Sequence, residues 1–158
     1  MLLALATSLI WCFTRLPSGE PLARHTTLLA QLAPWVFLTT AFIFDFDSLD
    51  LVSRYGGTEL PLLYRISAVW GGRAGPLLLW AAIMGTVTWF MSGRSVSNSV
   101  EIKLMHGFTG AIFVICWILS PFAETTGWGG TLNPLLQTDL MVIHPPLVFA
   151  YYSLCLAV

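Results

Sequence analysis

Five apolar runs, separated by polar or Gly/Pro-rich stretches, set the rhythm of the chain. Three of them, over residues 27–46, 76–91 with some flank, and 104–122, approach the roughly 20 mostly apolar residues that a helix needs to cross a bilayer. A first run over residues 1–13 and a last over 147–158 are shorter. The last run reaches the final residue without a cap, a charge cluster or a polar tail, so a further segment is expected to complete it. The pattern predicts an all-α, polytopic transmembrane protein with about four spanning helices plus the start of a fifth, and residues 1–158 as one helical domain.

Prolines mark the predicted boundaries. Pro76 opens the third run at a position that needs no amide donor, and Pro121 closes the fourth after Ser120. Pro34 falls inside the second run and is expected to kink it. Gly107, Gly110 and Ala111 leave room for the fourth segment to approach a neighbour closely, although glycine is also ordinary in membrane helices. By parity the loops over 45–75 and 123–145 lie on one side. The Lys/Arg count adds little to this, with Arg15, Arg24, Arg94 and Lys103 on one side and Arg54, Arg65 and Arg73 on the other.

Composition turns the pattern into a class. Hydrophobic residues make up 56% of the chain and charged ones 9%, too little polar surface to face water and a good match to membrane lipid. A net charge of -1, with seven scattered Lys and Arg, excludes nucleic acid as a partner. Cys12, Cys116 and Cys155 stand singly in apolar runs and read as packing residues. The N-terminus has no basic stretch before its apolar run, so a retained membrane segment is expected rather than a cleaved signal. Asp45, Lys103 and His106 fall within about a turn of predicted ends, leaving span centres uncharged and disfavouring a pump or coupled transporter.

Candidate chemistry concentrates on the shared side. The loop over 56–80 is unusually apolar, and Tyr64, Trp70 and Trp80 suit the headgroup level of a membrane. Alternatively, Trp70-Gly71-Gly72 forms an apolar platform under a large flat ligand, with Arg65 or Arg73 pairing carboxylates on its rim. His144 precedes Pro145, which suits the first position of a helix, so the imidazole is expected near an N-cap on a stiff joint. Held so, it is a candidate axial ligand for haem iron or another metal, against the alternative of hydrogen-bonded structural duty. No second histidine stands nearby to close a zinc site, and parity puts His25 and His106 on the opposite side.

Three stretches carry a resemblance: "AFIFDFDSLDLV" over 41–52, "LPLLYRISAVWGGRAGPLLLW" over 60–80 and "LNPLLQTDLMVIHPPLVFAYY" over 132–152. In order and spacing they resemble the N-terminal part of the CcmF-type cytochrome c haem lyases of the multi-component maturation system. The resemblance implies that His144, in the His-Pro-Pro motif, is one of two outer-face axial ligands to a b-type haem in transit to cytochrome c. It implies as partners the remaining haem lyase chains, a haem carrier protein and apocytochrome c. The family's haem-cradling tryptophan-rich loop, second axial histidine and permanent-haem histidines lie further along a longer protein. In some mitochondrial lineages that protein is divided, and this chain is similar to the first piece, so a mitochondrial inner membrane is favoured over a bacterial cytoplasmic one. The haem-handling loops are then expected on the intermembrane-space or periplasmic side. The family's usual His-Glu-Gly-Ser after Trp-Gly-Gly/Ala is broken here by Arg73, Ala74 and Pro76. That departure keeps open an alternative, a non-catalytic scaffold or accessory subunit of a larger inner-membrane assembly.

Overall fold

The computed structural model describes residues 1–13, 21–93, 100–127 and 129–157, without the side chain of Phe13. Among the described residues there are seven α-helices and no strand: α1 Leu2–Phe13, α2 Pro21–Ile43, α3 Asp50–Tyr55, α4 Leu62–Ala68, α5 Ala74–Ser92, α6 Val100–Leu119 and α7 Asp139–Cys155. Three of them, α2, α5 and α6, are long and apolar enough to cross a membrane, which makes this an integral membrane protein. The all-α membrane fold is as expected, and the approximate count of four spans plus the start of a fifth resolves into three full-length helices, the shorter apolar α1 and the 17-residue α7. At 12 residues, α1 is about 18 Å long, well short of a bilayer's roughly 30 Å core.

The α5 helix is the hub, packing on α2, α6 and α7. Its buried face is lined with small residues, including Ala74, Gly75, Ala81, Ala82 and Gly85. Close approach is required at two of them. A Cβ on Gly75 would lie 1.6 Å from the Val69 carbonyl oxygen, and one on Gly85 would lie 2.5 Å from Gln31 Oε1. The α6 helix packs against α1, where a Cβ on Gly107 would lie a tight 3.1 Å from Cys12 Sγ and one on Gly110 an ordinary 3.5 Å from Leu9 Cδ2. Cys116 is fully buried in the core with Leu38, Phe42, Leu78 and Phe113.

The loops that parity places together are bonded to each other. Leu49 and Glu124 form an isolated antiparallel bridge, the Asp50 amide donates to the Ala123 carbonyl at 2.9 Å, and the Gly130 amide donates to Ser53 at 2.8 Å. This backbone stitching carries α3 and α4 at the same end of the bundle as the start of α7.

Helix starts depart from the sequence expectation. The α2 helix begins at Pro21 and α6 at Val100, each several residues before the apolar run. His106 is therefore not close to the start of its helix but two turns inside it and buried. Its polar neighbours make this possible. Gln31 Nε2 donates to Ser8 Oγ at 2.8 Å and lies 3.5 Å from His106 Nδ1, while Trp11 stacks on the imidazole with ring centroids 5.5 Å apart. Trp11 Nε1 also donates to Thr27 Oγ1 at 2.8 Å, joining α1 to α2. At the other end of α6, Ser120 adopts φ 47° and Pro121 follows, as expected of a stop there. The α2 helix continues through Pro34. Arg15 and Arg94, used in the charge count, lie outside the described residues.

Candidate functional site

The site is built around the first two turns of α7. Thr138, with φ -131° and ψ 151°, is its N-cap, and its hydroxyl accepts from the Met141 amide at 3.3 Å. Asp139 stands in the first turn, where a carboxylate complements the positive end of the helix dipole. His144 is consequently not near the N-cap, as the sequence predicts, but inside the second turn, with Pro145 and Pro146 following it within the helix. Threonine and aspartate supply a better start than the prolines, and the helix is carried through them.

That passage has a local cost. Pro145 has no amide hydrogen, so the Met141 carbonyl four residues earlier loses its helical donor. The donor comes from elsewhere: Trp70 Nε1 donates to Met141 O at 2.8 Å. Farther along, Trp80 of α5 stacks on Phe149 with ring centroids 5.4 Å apart, holding α7 against the hub. The His144 side is open. Its imidazole is exposed and has no hydrogen-bond partner among the described residues, and it stands beside exposed Leu140, Ile143 and Leu147.

Trp70, Gly71 and Gly72 form a tight turn between α4 and α5. The two glycines face α3: a Cβ on Gly71 would lie 3.3 Å from the Tyr55 ring, and one on Gly72 2.9 Å from Leu51 Cδ2. This packing sets the place from which the Trp70 indole reaches α7. The structure thus brings Trp70 to within one helical turn of His144, linked through the backbone.

The arginines differ in what they touch. Arg65 Nε donates to the Leu60 carbonyl at 2.9 Å and Nη1 to the Ile43 carbonyl at 3.1 Å, while Nη2 donates to the Thr58 carbonyl. Ile43 is the last residue of α2, so the guanidinium also sits at the negative end of that helix. Three of its five N–H groups are engaged by backbone. Arg73 is exposed, without a partner among the described residues. It lines an open cleft of about 360 Å³ with Arg54, Tyr55, Gly72 and Ile118, and His144 does not line that cleft. Arg54 is paired with Asp50 at 2.8 Å. Among the described residues no group of three or more His, Cys, Asp or Glu is gathered so as to hold a metal ion, at His144 or elsewhere. What the hydrophobic pattern did not foretell is the Thr138 cap and the use of Trp70 as a backbone donor. The signal for the first was present in "TD" before an apolar run, whereas the second depends on contact across 71 residues.

Curated proteins with similar sequences share one description. A cytochrome c-type biogenesis protein CcmF of Pseudomonas aeruginosa is 32% identical across 94% of this chain and 26% of its own length. CcmF of Escherichia coli is 30% identical across 87% of the chain and 23% of its own length. The chain corresponds to the N-terminal part of a CcmF-type protein. CycK of Rhizobium meliloti, also described as a cytochrome c-type biogenesis protein, is 29% identical across 86% of this CcmF-type chain and 22% of its own length. The CcmF-type chain spans about a quarter of the length of the curated relatives it matches. No family model and no solved structure matches it.

Proposed function

We propose that this chain acts in cytochrome c maturation as part of a haem lyase, with His144 as an outer-face axial ligand to haem in transit. The observation that carries the reading is the state of His144: an exposed imidazole, without a partner among the described residues, on a capped helix and set among apolar side chains. A single donor of this kind suits one face of an iron porphyrin, whereas a closed metal site needs several converging ligands. Haem brings its own reactive vinyl groups, to which the thiols of an apocytochrome CxxCH motif add to form thioethers. The protein's share is to hold the iron and fix the ring's position. Arg73, exposed and unpaired among the described residues, is left free to meet an anionic group, and Trp70 borders α7 through its bond to Met141, while Gly71 and Gly72 face α3.

The reading assigns the second axial base to the remaining haem lyase chains, the incoming haem to a carrier protein, and the acceptor to apocytochrome c. The membrane is the mitochondrial inner membrane, favoured here, or the bacterial cytoplasmic membrane. The end of the bundle that carries α3, α4 and the start of α7 faces the intermembrane space or periplasm. The test is His144→Ala in the purified complex. Haem absorbance and cytochrome c maturation are expected to fall at least tenfold, with partial recovery on adding free imidazole. If neither changes, the break in the family motif at Arg73, Ala74 and Pro76 gains weight and the chain is a scaffold subunit.

A further inference from the structure

Consecutive prolines in α7 remove the amide hydrogens of residues 145 and 146, and thereby the helical donors to Met141 and Val142. A carbonyl left without a donor loosens its turn unless another group bonds it. The Trp70 indole fills that role for Met141 at 2.8 Å. Both polar edges of the first turn of α7 are then fixed, the Met141 amide by Thr138 and the Met141 carbonyl by Trp70. His144 follows three residues later. Trp70 itself has little freedom, because Gly71 and Gly72 lie flat on Tyr55 and Leu51, and Gly75 abuts the Val69 carbonyl.

We infer that Trp70 is a positioning residue for His144: its indole N–H replaces the amide hydrogen missing at Pro145 and so sets the direction in which the imidazole is presented. This rests on the ligand reading of His144 for its consequence, but not for its geometry. The role is separate from a wall contact with haem, since it runs through a backbone carbonyl and depends on the proline.

That dependence supplies the test. Trp70→Phe deletes the donor, and Pro145→Ala restores a helical donor to Met141. In the purified complex, hydrogen exchange of amides in 140–144, measured without haem, is expected to quicken about tenfold with Trp70→Phe. In a Pro145→Ala background the same change should have less than a twofold effect. Haem affinity and the spectrum of its axial ligation should follow the same pattern. Should Trp70→Phe not assemble, 3-benzothienylalanine at position 70 removes the N–H while keeping the ring shape, and the same comparison applies. Equal effects with and without Pro145, or unchanged exchange in 140–144, would overturn the inference. If exchange follows the pattern while His144→Ala leaves haem binding intact, the positioning stands and the ligand reading of His144 falls.

Discussion

Arg65→Ala separates two roles for a guanidinium that composition alone cannot distinguish. In the structure its bonds run to three carbonyls on two sides of the α2–α4 connection: Ile43 at the end of α2, and Thr58 and Leu60 before α4. The bonds to Ile43 and Leu60 are partly buried, and a charged donor in such a setting contributes more than a neutral one. The bond to Thr58 is exposed and water replaces it readily. Together with the favourable charge at the end of α2, removal should destabilise the protein by about 3 kcal/mol. For a chain of this size that corresponds to a Tm lower by roughly 6–12 °C. Arg65→Lys retains the charge but lacks the planar fork, so it should recover less than half of the loss. Thermal unfolding of the complex in nanodiscs, followed by near-ultraviolet circular dichroism, measures both. A Tm within 2 °C of wild type (an effect below about 1 kcal/mol) combined with a loss of haem loading would refute the brace and make Arg65 a ligand contact.

Gly75→Ala should prevent assembly, at a cost above about 4 kcal/mol, because its Cβ would enter the Val69 carbonyl and push α5 away from the turn that bears Trp70. Gly129→Ala, which meets nothing within 4 Å, is the matched control and should melt like wild type in the same assay. Gln31→Leu removes the Ser8 bond inside the bundle, and denaturant titration should show a loss of about 1 kcal/mol. Combined with Ser8→Ala in a double-mutant cycle it should show coupling, and strict additivity would mean the bond contributes nothing.

The spanning helices were legible because a bilayer demands long apolar runs, and those of α2, α5 and α6 are hard to mistake. Their starts were less so. Arg24, His25, Lys103 and His106 look like flanking loop residues, yet they lie in helices, and Arg24 is accommodated there by donating to Ser92 Oγ at 3.1 Å and to the Trp89 carbonyl at 2.9 Å. The helices α3 and α4, of six and seven residues, are too short for periodicity to declare them. At the site, His144 and its prolines could be picked out by residue type, but the Pro145 rule for a helix start pointed to the wrong turn. Thr138 and Asp139 were better starters, and the donor to the carbonyl that Pro145 leaves without its helical amide comes from Trp70. Such a donor is invisible until the chain is folded.

The contact among Ser8, Gln31 and His106 bears on how the shortest apolar helix finds its depth. Lipid tails offer a twelve-residue segment no preferred height, and a smooth apolar rod could slide. A hydroxyl that meets an amide at only one elevation behaves like a pin in a lock. The N-terminal helix is thereby keyed to its neighbours by chemistry rather than by span, so a change to this small polar trio should displace it vertically before it unfolds anything.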